Sequence, residues 1–181
     1  QNRATIGGNI ANASPAGDSL PVLLALGAEI LIAGPSGSRQ ISYDDMHLGY
    51  RKTALAPGEL IHRVRIPIPQ DGSVQLFKKV GTREAQSISK VCVALVAELS
   101  DGKMSSVRIG AGSVAAIPIR LSDAEKVCEG ARPDQSTANG AGKAAGAEVS
   151  PIDDVRSTAE YRSFVLDRVV RRMVLDLGDG A

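Results

Sequence analysis

The 181 residues are 43% hydrophobic and carry 21 Lys and Arg against 20 Asp and Glu, a formal net charge of +1. That apolar content suffices for a buried core, but a near-neutral chain offers no broad field toward phosphate backbones or anionic lipid, and 3% aromatic residues without Trp leave few rings for stacking bases. No nucleic acid partner is expected, and the longest apolar runs, residues 20–26 and 91–99, fall well short of the ~20 residues of a membrane span.

The chain begins at Gln1-Asn2-Arg3 without Met, which reads as a fragment or a processed piece. It opens on no charged-then-apolar signal segment, so a cytoplasmic protein is expected. Residues 4–18, rich in Gly, Asn, Ser and Pro, lead into an apolar helix over 20–26 with Asp18 or Ser19 as its N-cap and Gly27 closing it. Residues 28–33 and 39–42 flank Gly34-Pro35-Ser36-Gly37 and read as two strands joined by a turn. A third strand runs over 60–68, where Val64, Ile66 and Ile68 alternate with other residues until Pro67 and Pro69 end the ladder.

A second unit starts near Asp71-Gly72. Residues 74–80 alternate as a strand, 81–87 are polar, and 88–99 with 104–111 read as two strands around Ser100-Asp101-Gly102. Ser122-Asp123-Ala124-Glu125 reads as a capping box opening a short helix that stops at Gly130, and Ser157-Thr158-Ala159-Glu160 as a second box opening the longest helix. In that helix Tyr161, Phe164, Val165, Val169, Met173, Val174 and Leu177 recur at helical spacing, an apolar stripe expected to cover the sheet. Residues 131–151, dominated by Ala and Gly, are either a weak helix or a loose connection.

Gly7-Gly8 followed by the Ser14–Asp18 stretch is the strongest local signal for chemistry. Adjacent glycines permit positive φ and close backbone approach, and a helix start offers N–H donors to negative charge, which suits a pyrophosphate or sugar. A tight turn before an ordinary helix explains the same residues. Neither the G-x-G-x-x-G fingerprint nor the G-x-x-x-x-G-K-[ST] loop is present. Cys92 and Cys128 stand apart from any second thiol or His and read as small buried side chains in a reducing compartment. His47 and His62 lack a nucleophile relay, Asp44-Asp45 reads as a loop or helix cap, and Arg168, Arg171 and Arg172 read as a solvated helix face. Arg51-Lys52 and Lys78-Lys79 either meet an anion or charge a strand edge, and a stand-alone hydrolase has no catalytic constellation here.

Four ordered blocks carry a more specific pattern. They are Ala4-Thr5-Ile6-Gly7-Gly8-Asn9; Ala13-Ser14-Pro15 with Asp18; residues 50–61, Tyr-Arg-Lys-Thr-Ala-Leu-Ala-Pro-Gly-Glu-Leu-Ile; and residues 77–91, beginning Phe77-Lys78-Lys79. In this order and spacing the chain resembles the carboxyl-terminal part of the FAD-binding subunits of xanthine dehydrogenase and carbon monoxide dehydrogenase type molybdenum hydroxylases, over nearly its whole length. The resemblance implies an α+β fold: the second subdomain of a vanillyl-alcohol oxidase-like FAD-binding domain over residues 1–71, then a small antiparallel sheet packed with helices over 72–181. It implies an electron-transfer oxidoreductase subunit, a flavoprotein that receives electrons from iron–sulfur clusters and passes them through FAD to NAD or another acceptor. Its expected partners are a large molybdopterin-binding subunit and a small subunit carrying 2Fe–2S clusters, with no membrane and no nucleic acid. The alternative is a structural or docking module without flavin of its own.

Carried over by position, the expected FAD contacts are Thr5, Gly7, Gly8, Asn9, Asn12 and Asp18, with Ile61 and Lys78 toward the flavin and Ile88 as an apolar contact on a loop, residues 81–89, that gates NAD. No catalytic residue and no metal ligand is expected. The chain departs from the animal enzymes at Ala85-Gln86-Ser87, where acidic residues are common. It also lacks the family's first Gly-rich phosphate loop, so it is expected to supply one wall of the FAD cleft.

Overall fold

The computed structural model describes residues 4–84 and 86–179; Gln1-Asn2-Arg3 and Ala85, which entered the reading above, lie outside the described residues. Helix α1, Ile6–Asn12, and helix α2, Ser19–Ala25, come first. The expected Gly-rich lead-in is thus largely helical, and neither Gly7 nor Gly8 has a positive φ. Thr5 makes the difference: its Oγ1 accepts the Gly8 amide at 2.9 Å, an N-cap that starts a helix despite two poor helix formers.

Strands β1, Glu29–Gly34, and β2, Gly37–Ser42, form the expected hairpin, and a 3-10 turn over Tyr43–Asp45 leads to the short pair β3, His47–Gly49, and β4, Lys52–Thr53. Strand β5, Leu60–Arg65, pairs with β1 in an antiparallel sheet of order β2-β1-β5 and stops before Pro67. Ile10, Leu20, Leu23, Leu24, Ile30 and Ile32 make this half's core together with Tyr43 and Met46.

The second half is a four-stranded antiparallel sheet of order β6-β7-β8-β9, from β6, Val74–Val80, β7, Val91–Ser100, β8, Lys103–Gly112, and β9, Ile119–Arg120. Asp101 and Gly102 both have positive φ at the β7–β8 turn. Helices α3, Ser122–Cys128, α4, Gln135–Ala147, and α5, Ala159–Asp179, complete the chain. Within residues 131–151 the stretch Gln135–Ala147 is a helix: Asp134 caps it at the Thr137 amide, 2.9 Å away, and Ala138, Ala141, Gly142 and Ala145 form a small-residue face on α5. A Cβ on Gly142 would collide with Asp167 of α5.

Neither expected capping box forms as read. Leu121 occupies the N-cap of α3 without a side-chain bond, and the first amides of α3, Asp123 and Ala124, donate instead to the Glu148 carboxylate. Glu125 is turned inward, where it accepts the Ile109 amide at 2.7 Å and the Arg120 guanidinium at 2.6 Å. For α5, Thr158 Oγ1 accepts the Tyr161 amide and Asp153 the Ala159 amide, so the cap falls one residue later than Ser157. The α5 stripe is also rotated. Leu166, Val170, Met173, Val174 and Leu177 are buried, while Tyr161 and Phe164 are 41% and 56% exposed. The position one turn before Leu166 belongs to Arg162, whose charge hid the true phase.

Glu125→Ala leaves the Arg120 guanidinium and a buried strand amide without their acceptor. We expect it to cost about 1–3 kcal/mol in urea unfolding, with Glu125→Gln recovering part of the loss because its carbonyl still accepts one bond.

His47 is buried in the first half, with Nε2 3.0 Å from the Tyr43 hydroxyl and Nδ1 without a partner. Burial pushes its pKa down and that of Tyr43 up. A depressed histidine binds its proton later in the folded than in the unfolded chain, so stability is flat above the ordinary value of 6.5 and falls as pH drops below it. Urea unfolding between about pH 7.5 and 5.5 should show this loss, at most about 1.4 kcal/mol per pH unit, and His47→Gln should flatten it.

Candidate functional site

The two halves meet where α2 lies on the β7–β8 face opposite the helical core. Cys92 and Ala94 of β7 pair with Gly112 and Gly110 of β8, a square of small residues against Pro21. Arg108 donates to the Leu24 carbonyl at the end of α2, Ser113 donates its amide to the Pro15 carbonyl at 2.8 Å, and the Arg108 and Arg120 guanidiniums lie 3.5 and 3.6 Å from Asp44. Asp44 therefore serves as an ionic tie between the halves, not as an acid.

Thr5, Gly7, Gly8, Asn9 and Asn12 all belong to α1 or its cap. Gly7 faces Ile61 of β5, since a Cβ there would lie 3.5 Å from Ile61 Cγ2. Gly8 and Asn12 are exposed, and Asn9 Oδ1 accepts the Ser19 hydroxyl at 2.6 Å, which joins α1 to the start of α2. Ile6 and Gly7 make the first turn of the helix, the place where backbone amides of a helix lie ahead of its own ladder of bonds.

Asp18 sits at the α2 N-cap position, but its side chain makes no cap bond. Its carboxylate instead accepts the Ser89 hydroxyl and the Lys79 ammonium, the latter at 2.5 Å, and Lys79 also donates to the Ser87 carbonyl at 2.8 Å. Lys78 is turned the other way: its ammonium lies 3.6 Å from Asp176 on α5. Strand alternation dictates this. Val74, Leu76 and Val80 pack on the α5-side core, so Lys78 shares that face and Lys79 takes the opposite one. Lys79 and Ser89 are the neighbours of Asp18 that the sequence reading missed, and the period-2 pattern of residues 74–80 is the signal that places Lys79.

Ile88 is 51% exposed and lines a cleft of about 540 Å³ between the halves, with Pro15, Tyr50, Ser113, Asp154 and Arg162 among its walls. Among the described residues no cluster of His, Cys, Asp and Glu fits a metal ion, and no helix is long and apolar enough to cross a membrane. Both cysteines are free and buried, and burial pushes each thiol up to about 12.

Two families match this chain. Residues 1–69 match one described as the FAD binding domain in molybdopterin dehydrogenase, and residues 75–177 one described as the CO dehydrogenase flavoprotein C-terminal domain. The carbon monoxide dehydrogenase medium chain of Afipia carboxidovorans is 35% identical over 94% of this chain and 59% of its own length. The nicotine 6-hydroxylase medium subunit of Paenarthrobacter nicotinovorans is 32% identical over 98% and 62%. Among solved structures, a Cu,Mo-CO dehydrogenase superposes with a TM-score of 0.89 at 34% identity, covering 93% of this chain and 59% of the other. Quinoline 2-oxidoreductase from Pseudomonas putida gives a TM-score of 0.90 at 28% identity, covering 99% and 62%. The chain thus spans about three fifths of the length of these relatives.

Proposed function

Because the chain belongs to the FAD-binding medium subunits of the carbon monoxide dehydrogenase and xanthine dehydrogenase family of molybdenum hydroxylases, we propose that it builds one wall of an FAD site in an electron-transferring oxidoreductase. The observation that carries this reading is the first turn of α1, where Gly7 lies beside Ile61, Gly8 is exposed, and Asn9 bonds to Ser19, the chain neighbour of Asp18. These residues fit part of a flavin dinucleotide: helix-start amides suit a pyrophosphate, and a carboxylate suits sugar or ribityl hydroxyls. Thr5, Gly7, Gly8, Asn9, Asn12, Asp18 and Ile61 then form the cofactor wall, with Ile88 at its edge. Lys78 belongs with it only after leaving Asp176, and Lys79 is the better placed of the two.

Bound there, FAD supplies an electron relay from 2Fe–2S clusters of a small partner subunit, loaded by a large molybdopterin-binding subunit, to NAD or another acceptor. The protein's share is binding and electrostatics. Residues 1–71 hold the cofactor wall, and 72–181 close over it through the small-residue seam and the Lys79–Asp18–Ser89 contacts. Two unpaired thiols accord with a cytoplasmic setting.

Asp18 tests the assignment by substitution. Asp18→Asn is expected to weaken FAD binding about tenfold in the intact subunit through loss of a charge-assisted acceptor. Because the carboxylate pairs at the surface and does not cap, Asn and Ala should cost the apoprotein about the same, within ~1 kcal/mol. FAD binding as tight as that of the parent would remove Asp18 from the site.

A further inference from the structure

The Asn9 side chain stands where α1 meets the start of α2, and one of its two polar ends is already engaged. Asn9 Oδ1 accepts the Ser19 hydroxyl at 2.6 Å, while Nδ2 keeps both its protons without a protein acceptor among the described residues. Asn9 is only half-buried, and Nδ2 is not among the buried polar atoms left unpaired, so this free end reaches solvent. The two backbones that carry the bond are fixed. Ile10 and Leu20, the next residues in the chain, are fully buried in the same core, and the Leu20 amide donates to the Gly17 carbonyl at 3.2 Å. Between them Ala13, left-handed at φ +49°, turns the chain out of α1.

An Asn side chain carries a carbonyl and an N–H2 on one plane, and the torsion that exchanges them is broad and roughly two-fold. Without a partner the amide can turn either end to a ligand. A hydroxyl that donates to Oδ1 removes that choice: the carbonyl is held toward α2, and the N–H2 end is left for a ligand. FAD presents acceptor oxygens on its phosphates and its ring carbonyls. To any of them an N–H2 end gives a hydrogen bond where a carbonyl end gives repulsion.

We propose that Ser19 is a positioning residue for the cofactor: its hydroxyl holds the Asn9 amide with N–H2 turned out to an acceptor oxygen of FAD. The proposal rests on the reading that Asn9 belongs to the cofactor wall, and adds to that wall a residue that acts through Asn9. FAD titration of the intact subunit, followed by flavin fluorescence and by the NMR signal of the Asn9 side-chain amide, tests it. In the parent, FAD should shift that signal. Ser19→Ala should weaken FAD about fivefold, the worth of one neutral hydrogen bond, and Ser19→Thr, which keeps the hydroxyl, should restore the affinity to within about twofold. Asn9→Asp separates positioning from a mere tie between α1 and α2. Its carboxylate still accepts from Ser19, so the apoprotein should melt close to the parent, yet the N–H2 donors are gone and FAD affinity should fall at least about tenfold. An Asn9 signal unmoved by FAD, or FAD bound as tightly by Ser19→Ala or by Asn9→Asp as by the parent, overturns the proposal alone. A parent subunit that takes up no FAD overturns the flavin reading and this proposal with it.

Discussion

Gly110→Val is expected to part the two halves of the chain and to lower stability by more than ~3 kcal/mol, beyond ordinary overpacking. Gly110 pairs with Ala94 across the β7–β8 ladder on the face that receives α2. A Cβ there would collide with the Pro21 carbonyl oxygen and lie 2.9 Å from its carbon. Backbone at a helix start cannot rotate aside as a side chain can, so either α2 lifts or the strand bends. Lifting α2 also breaks the Arg108 bonds to the Leu24 carbonyl and the amide bond from Ser113 to Pro15. Circular dichroism melts should therefore show a large drop, and protease should cut between residues 66 and 73. Gly49→Ala, with nothing within 4 Å of its Cβ, serves as control and should shift stability by no more than about 0.5 kcal/mol. A Gly110→Val variant that melts like the parent would mean that the halves do not depend on this contact.

The strands were legible because their signal is local. Alternation over 74–80, β-branched runs over 91–99, and the Gly34–Gly37 and Asp101-Gly102 turns are properties of the chain itself, and the antiparallel sheets follow from them. What escaped the sequence were choices settled by partners distant in sequence. Glu125 reads as the end of a capping box, yet the amide of Ile109 and Arg120 outbid the helix start for it, and Glu148 caps in its place. Tyr161 and Phe164 look like core because they are aromatic; Arg162 takes the buried phase because the carbonyls of Ser113 and Lys90 and the carboxylate of Asp154 are there to receive it. Helix α4 was obscured by Gly140, Gly142 and Gly146, weak formers set among strong Ala formers, and at Gly142 the close approach of α5 demands the glycine. In the candidate site, α1 was obscured by Gly7-Gly8, and the cap bond of Thr5 was a signal available three residues earlier. The pairing of Asp18 with Lys79 and Ser89 spans more than sixty residues of chain: alternation over 74–80 sets the face that Lys79 takes, but nothing local names Asp18 as its partner.

Gly7→Ala places opposite signs on the two things a glycine at this position can do. In the apoprotein the substitution is tolerated, because the new Cβ meets Ile61 at an ordinary 3.5 Å and φ is negative. Alanine in a helix is favoured over glycine by up to about 1 kcal/mol, so the apoprotein should gain slightly in stability. If the bare first turn of α1 carries the cofactor's pyrophosphate, the same methyl stands between backbone and ligand and FAD affinity should fall by about tenfold or more. A glycine kept only for a turn or for packing would give neither combination. The decisive measurement is an FAD titration of the intact subunit, parent against Gly7→Ala, followed by flavin fluorescence alongside melts of both apoproteins. Weaker FAD binding with equal or higher apoprotein stability is the predicted result; FAD bound as tightly by Gly7→Ala as by the parent would contradict the assignment of this helix to the flavin.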